Sequence, residues 1–203
     1  NHDPYFPGGI WERLEERAGV FVMREGQEHI QIGNLHFYGK GYGAFNEVSP
    51  AISTPVGDGI HILLWHGDVG TGDGGYHTLT GDVWKKFDYV ALGHIHKAVD
   101  VQGLSYPGFS RSRGFDETGA GAGHFVTFDF GTQVEKVQLP GIQFSRTVVD
   151  VQGMETSEEL EEKLLEILPE DKGLLRLYIT GRRRESLLIE KGVLQMKILQ
   201  CGF

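Results

Sequence analysis

The chain has 203 residues, of which 39% are hydrophobic, so it can bury a core in one or two domains. Its formal net charge of −9 disfavours a simple binder of the phosphate backbone, so contact with nucleic acid would need a local basic patch or bound cations. The single cysteine excludes an intrachain disulfide and favours a cytoplasmic location, and no apolar run approaches the ~20 residues of a membrane span.

The amino-terminal third predicts one helix and several short strands. Residues 11–18 have the spacing of an amphipathic helix, which Gly19 ends. Three short strands separated by turns are expected next, at residues 20–22, 29–32 and 35–38. A loop over residues 42–59 then leads to residues 60–65, which are apolar nearly throughout and predict a strand buried on both faces.

The middle of the chain continues in short strands. A helical turn is expected over residues 81–86, before a second apolar strand at residues 89–92. Further strands are predicted at residues 99–101 and 104–106, then a long loop over 107–123 and a hairpin of 124–130 with 134–139. The hairpin's phenylalanines are predicted core anchors: Phe125, Phe128 and Phe130.

From about residue 144 the pattern changes to a β-α-β unit. A strand at 146–151 precedes a helix at 156–168, where leucines 160, 164, 165 and 168 share helical spacing and Thr156 can cap the start. A strand at 174–180 completes the unit, and the chain ends in a strand-like run.

Both apolar strands run into histidine beside glycine. Residues 60–65 continue into His66-Gly67, and residues 89–92 into Gly93-His94-Ile95-His96. Histidines at i and i+2 of an extended segment point to the same side, and converging neutral imidazoles are typical ligands of zinc, manganese or iron. The alternative is a surface loop with two unrelated histidines. The remaining histidines are interpreted as structural or surface residues: His29, His36, His61, His77 and His124.

Four segments together resemble the motifs of the calcineurin-like metallophosphoesterases. They are Asn1-His2-Asp3, Trp65-His66-Gly67, Gly93-His94-Ile95-His96, and Tyr106-Pro107-Gly108 with Gly114-Phe115-Asp116-Glu117. The third, fourth and fifth motifs of that family are Gly-Asn-His-Asp/Glu, a histidine at a strand end, and Gly-His-x-His. The Tyr-Pro-Gly and Phe-Asp-Glu elements make the chain more narrowly similar to the SbcD-type DNA repair exonucleases.

The resemblance implies an α/β (α+β) fold with two domains. Residues 1–143 would form the carboxyl-terminal part of the family's four-layer β-sandwich flanked by helices, and residues 144–203 a small β-α-β capping domain. It also implies two divalent metal ions, with manganese as the first choice and iron or zinc as alternatives. Asn1, His66 and His94 would ligate one metal and His96 the other.

The resemblance assigns catalysis to the amino-terminal segment. His2 would contact the scissile phosphate and protonate or stabilise the leaving oxygen, and Asp3 would orient it. The family's first two motifs, Asp-x-His and Gly-Asp, lie upstream of the segment that starts this chain. Asp68, Asp73 and Asp82 do not replace them and are interpreted as turn residues. We therefore expect an amino-terminally truncated protein that has no two-metal turnover alone.

The implied function is that of a DNA repair exonuclease subunit hydrolysing phosphodiester bonds by a two-metal mechanism. Its implied partners are DNA and an SbcC-type SMC-like ATPase, without a membrane, and a homodimer is left open. Five arginines are weak candidates for contacts with the DNA backbone: Arg111, Arg113, Arg182, Arg183 and Arg184. One alternative is a metallophosphoesterase acting on a small phosphodiester or a phosphoprotein, and another is a non-catalytic binding fragment.

Overall fold

A computed structural model describes residues 4–44, 51–70, 76–170 and 173–203. Over these residues the fold is mixed α+β, with three α-helices, a 3-10 helix at Val83–Lys86 and nine strands. The helices are α1 (Ile10–Ala18), α2 (Ser157–Ile167) and α3 (Lys191–Gln200). The strands are β1 (His29–Ile32), β2 (Leu35–Gly39), β3 (Ile60–His66), β4 (Tyr89–Gly93), β5 (Val99–Val101), β6 (Leu104–Tyr106), β7 (Gly119–Thr127), β8 (Gln133–Asp150) and β9 (Gly173–Thr180). Within the described residues, none of the helices has the length and apolar character required to cross a membrane.

The chain divides into two compact units. The first contains residues 1–108 and 123–137, and the second contains residues 109–122 and 138–203. The loop and strand segment 109–122 therefore groups with the carboxyl-terminal residues. The boundary at residue 143 between a metallophosphoesterase core and a capping domain stays a prediction.

The first unit is built on a four-stranded sheet in the order β1-β2-β3-β4. β1 and β2 form an antiparallel hairpin, whereas β2, β3 and β4 run parallel. The core on one side of β3 contains Leu63 and Trp65, which pack in one cluster with Tyr106 of the short β5–β6 ribbon. Leu64 points to the other side and is 40% exposed, so the expectation of burial on both faces is wrong for this residue.

The second unit contains the predicted β-α-β arrangement. β8 and β9 pair in parallel over residues 143–150 and 173–180, and α2 lies between them in the chain. Leu160 and Leu164 of α2 are buried against Val149, as the helical spacing predicted. Leu165 is 58% exposed, so its place in the predicted apolar face is corrected.

The start of α2 follows the predicted capping pattern with one change. The hydroxyl of Thr156 accepts a hydrogen bond from the backbone N–H of Glu159 at 3.3 Å. The Glu159 carboxylate accepts from the backbone N–H of Glu155 at 2.7 Å, one residue before the position that a standard capping box uses.

Two segments that were expected to be strands do not pair with a neighbouring strand. Residues 20–22 are not a strand, and the backbone N–H of Val22 donates to the Glu15 carboxylate at 3.1 Å instead of to a neighbouring strand. The carboxyl-terminal run is α3, whose Leu194 packs into the core of the second unit. The long loop predicted over residues 107–123 ends earlier, since β7 begins at Gly119.

The predicted hairpin anchors are also corrected. Phe125 is 59% exposed and Phe130 is 94% exposed, while Phe128 is partly buried. Phe125 lies in β7, which ends at Thr127, whereas Phe128 and Phe130 follow it. The residue types of one segment do not report whether another layer covers it.

Candidate metal centre

The sheet topology brings the two strand-end histidines together. β3 and β4 are parallel neighbours, and the register pairs Trp65 with Leu92 and His66 with Gly93. The carboxyl ends of both strands therefore lie at the same edge of the sheet, and His94 follows directly after β4. The imidazole rings of His66 and His94 have their centroids 5.4 Å apart at an interplanar angle of 74°.

A carboxylate lies beside one of these two histidines. The Asp68 Oδ1 atom lies 3.6 Å from Nε2 of His94, and the Asp68 side chain is 32% exposed. Two ligands at about 2.1 Å from one metal are roughly 3.0–3.4 Å apart, so this separation is close to that of ligands sharing an ion. Two imidazoles and a carboxylate are donors that manganese, iron and zinc accept. In their chemistry these residues therefore fit a divalent metal ion.

The arrangement is not a complete coordination shell. Across the parts of the chain that the structure describes, no group of three or more His, Cys, Asp or Glu side chains is arranged to hold a metal ion. His66, His94 and Asp68 therefore provide a partial donor set. Binding at this edge requires further ligands or a rotation of the side chains.

Two glycines make room for the histidine pair. A Cβ atom on Gly93 would lie 3.0 Å from Nδ1 of His66, which is tighter than normal contact. A Cβ atom on Gly67 would lie 2.4 Å from the carbonyl oxygen of His77 and 2.5 Å from that of Tyr76. A side chain at residue 67 would therefore force the backbone to shift, whereas at residue 93 the His66 ring would have to move by a few tenths of an ångström.

Two buried tyrosines support the turn after β3. The Tyr106 hydroxyl donates to the carbonyl oxygen of Gly67 at 2.7 Å, and the Tyr42 hydroxyl donates to that of His66 at 3.0 Å. Burial, with a smaller contribution from the negative charge of Asp68, raises the pKa of Tyr106 to about 12. Tyr106 therefore stays a neutral donor at physiological pH and fixes the backbone that carries His66.

His94 has an unusual backbone conformation. Its φ angle is 99°, in a region that residues other than glycine rarely adopt. Such a conformation persists only where the surrounding structure enforces it, and these positions cluster at functional sites. The imidazole of His94 also lies against the ring of Tyr76, with the ring centroids 5.4 Å apart.

The other predicted site residues are placed as follows. His96 is an exposed residue of the first unit, in the segment that leads from β4 to β5. The predicted ligand Asn1 and the predicted catalytic pair His2 and Asp3 lie outside the described residues. Among the predicted ligands that the structure describes, His66 and His94 are the pair that the sheet brings together.

The candidate arginines all belong to the second unit and are exposed. Arg113 forms a two-point ion pair with Glu117, at 2.9 Å and 3.2 Å. Arg184 is paired with Glu155. A phosphate would have to compete with these carboxylates, so Arg111, Arg182 and Arg183 are better placed to meet one.

Asp68 is the residue that sequence reasoning assigned to a different role. Its carboxylate accepts from the backbone N–H of Tyr76 at 3.1 Å, and no turn is assigned at Asp68; Asp82 lies in a turn, and Asp73 lies outside the described residues. The same carboxylate also faces His94, which the turn assignment did not predict. The signal was the i, i+2 spacing of His66 and Asp68, the same spacing as in His94 and His96.

The histidines interpreted as structural are mostly buried. His36, His61 and His77 are each at most 9% exposed. His61 donates from Nε2 to the carbonyl oxygen of Gly57 at 3.2 Å, so its Nδ1 accepts from the hydroxyl of Tyr38 at 3.1 Å in the neutral ring.

No protein-family model matches the chain, and no curated protein sequence is significantly similar to it.

Proposed function

We propose that the chain belongs to a metal-dependent phosphodiesterase of the calcineurin-like metallophosphoesterase class, and that it acts as a DNA repair exonuclease subunit of the SbcD type. The observation that supports the proposal is the pairing of His66 with His94 across adjacent parallel strands, with Asp68 beside them. In this proposal residues 1–143 are the carboxyl-terminal part of the β-sandwich and residues 144–203 the capping domain.

Each residue near this edge has a defined part in the proposal. His66 and His94 bind one divalent ion together with Asn1, and His96 binds the second. Asp68, whose carboxylate oxygen lies 3.6 Å from Nε2 of His94, would join the ligands of the same ion. The metals, manganese first with iron or zinc as alternatives, supply charge neutralisation for the phosphate when they are bound.

Proton transfer to the leaving oxygen is proposed for His2, oriented by Asp3. This role rests on the resemblance of Asn1-His2-Asp3 to the family's third motif. DNA is the proposed substrate, and an SbcC-type SMC-like ATPase is the proposed partner. Arg182 and Arg183, exposed after β9, are proposed contacts to the DNA backbone.

A metallophosphoesterase that acts on a small phosphodiester or a phosphoprotein is the second candidate function. The net charge of −9 favours it, because an acidic protein repels the phosphate backbone of long DNA. Hydrolysis of duplex DNA and of a chromogenic phosphodiester separates the two functions, when both are measured with manganese in a protein that also carries the Asp-x-His and Gly-Asp motifs. Turnover of the small substrate without DNA cleavage would refute the nuclease assignment.

Metal binding tests the site itself. His66→Ala and His94→Ala should each lower manganese occupancy at least tenfold, because each removes a coordinate bond. His29→Ala is the matched control, since His29 is an exposed histidine of β1 in the same unit. Occupancy measured by elemental analysis that is equal in all three variants would refute the site.

A second comparison separates ligand from catalyst. The rate is measured in a protein that also carries the Asp-x-His and Gly-Asp motifs, from which the family draws further ligands. His2→Ala should keep its metals and lose roughly 10²–10⁴ in rate, the usual contribution of a positioned acid or base. Loss of metal in parallel with His94→Ala would show instead that His2 is a ligand.

A further inference from the structure

A cavity lies in the first unit, at the opposite end of β4 from His94. Its volume is about 540 Å³, within the range of cavities that hold small organic molecules. Phe87 and Tyr89 line it at the amino end of β4, whereas His94 follows the carboxyl end of that strand. The further apolar residues of the lining are Trp84, Val90, Leu104 and Val134. The cavity is therefore separate from the candidate metal centre.

A chain of hydrogen bonds runs along the cavity wall. The Tyr89 hydroxyl lies 3.0 Å from Nδ1 of His124, and the Ser105 hydroxyl lies 3.5 Å from Nε2 of the same ring. Ser105 also hydrogen-bonds to the carboxylate of Asp100, its partner in the β5–β6 register.

The carboxylate of Asp100 at one end determines which group donates in each of these hydrogen bonds. A carboxylate only accepts, so Ser105 donates to Asp100 and its oxygen accepts from Nε2–H of His124. Nδ1 of the neutral ring then accepts from the Tyr89 hydroxyl. The oxygen of Tyr89 keeps its lone pairs for a further donor.

The charged side chains that line the cavity, Lys136, Asp100 and Asp88, sum to one negative charge. Lys136 pairs with Asp100 at 3.1 Å and 3.2 Å, so its ammonium charge is largely compensated. Asp88 adds a second carboxylate to the lining, which opposes an anionic ligand. Burial, together with the positive charge of Lys136, lowers the pKa of His124, so that its imidazole is neutral at physiological pH.

We propose that this cavity binds an uncharged planar heterocycle of the size of a nucleobase or nucleoside. Three aromatic side chains, Trp84, Phe87 and Tyr89, provide flat apolar surface for such a ring. The oxygen of Tyr89 accepts a hydrogen bond from a ring N–H or amino group of the ligand. This site does not depend on the function proposed for the metal centre, because it shares no residue with it.

The tryptophan side chains allow a direct test in the intact chain. The chain has three tryptophans, so its nitrogen-labelled spectrum contains three indole N–H signals, of which Trp84 alone lines the cavity. Adenosine and thymidine are the probes, each titrated to about 10 mM, which detects millimolar dissociation constants. The Trp84 signal should shift saturably with at least one probe, while those of Trp11 and Trp65 stay unchanged.

Two substitutions test the hydrogen bond. Tyr89→Phe keeps the ring and removes the hydroxyl, so the dissociation constant should rise roughly fivefold, the usual worth of one hydrogen bond. Tyr178→Phe removes the hydroxyl of a tyrosine on β9 in the second unit and should change nothing. Ser105→Ala is an independent variant that weakens the same series of hydrogen bonds.

Three results would overturn the inference. They are no saturable Trp84 shift with either probe, a dissociation constant that changes less than about twofold in both Tyr89→Phe and Ser105→Ala, or tighter binding of the corresponding monophosphates than of the nucleosides. The last result would show that the cavity selects an anion.

Discussion

Gly67→Ala probes how the fold presents His66. The added Cβ atom would lie 2.4 Å from the carbonyl oxygen of His77, 2.5 Å from that of Tyr76 and 2.8 Å from Cβ of His77. Ordinary contact begins at 3.4 Å, so the overlap reaches 1.0 Å. Both oxygens belong to the backbone, so they cannot move away by a side-chain rotation. The turn after β3 must shift as a whole.

The expected cost combines three terms. Overpacking of this kind costs about 1–3 kcal/mol. Shifting Gly67 also weakens the hydrogen bond that its carbonyl accepts from buried Tyr106, worth about 1 kcal/mol. The lower conformational entropy of alanine in the unfolded chain returns about 0.4–1 kcal/mol. The free energy of unfolding should therefore fall by about 2 kcal/mol.

Urea denaturation followed by tryptophan fluorescence measures this change. Trp11, Trp65 and Trp84 all lie in the first unit, so their emission reports the unfolding of the unit that contains Gly67. Gly70→Ala is the matched control, because among the described residues no atom outside the neighbouring backbone lies within 4 Å of its added Cβ atom. The control should change the free energy of unfolding by at most about 0.5 kcal/mol.

Gly67→Ala should also affect metal binding at His66 and His94. Displacing the turn moves His66 relative to His94, so Gly67→Ala should also lower manganese occupancy, while Gly70→Ala should not. If Gly67→Ala unfolds at the same urea concentration as the control, the close approach at Gly67 does not constrain the turn. The proposed support of His66 would then be refuted.

Three further predictions concern packing, capping and pH. Leu160→Ala should destabilise the second unit by about 3 kcal/mol, because the side chain is fully buried. Leu165 is exposed, so Leu165→Ala should cost less than about 0.5 kcal/mol. Urea denaturation followed by far-ultraviolet circular dichroism would detect this difference. Thr156→Ala should cost about 1 kcal/mol in the same assay and Thr156→Ser much less, since serine keeps the capping oxygen; equal losses would contradict the cap. Burial lowers the pKa of His124 in the folded state, so the unfolded state binds more protons below its pKa of about 6.5. Stability should therefore fall as the pH decreases through that range, and His124→Gln should reduce this dependence.

Local patterns were sufficient for the elements whose sequence signals are short-range. The helix that ends at Gly19, the capped helix after Thr156 and the apolar strands before His66 and His94 all lie close to their predicted bounds. Periodicity, capping residues and glycines act within a few residues, so they can be recognised without knowing what packs against them.

Burial depended on the tertiary structure. Phe125 and Phe130 are large apolar side chains, yet both are exposed, because the residue types of one segment do not report whether another layer covers it. Val20 and its neighbours have strand-forming side chains, but the Glu15 carboxylate takes up the N–H of Val22. At the carboxyl end, the run expected to be a strand is the helix α3, whose residues are mostly helix formers and whose Leu194 packs into the core of the second unit.

For the site, the sequence by itself determined that two apolar strands each end in histidine beside glycine, since this pattern is read from consecutive residues. The tertiary structure decided that these strands are parallel neighbours in register, so that His66 and His94 meet. It also decided that Asp68 turns back toward His94 and that Tyr89, Ser105 and His124 form one wall of a cavity. Strand order and the return of a loop join residues distant in the chain, and side-chain patterns within a single segment carry no information about such contacts.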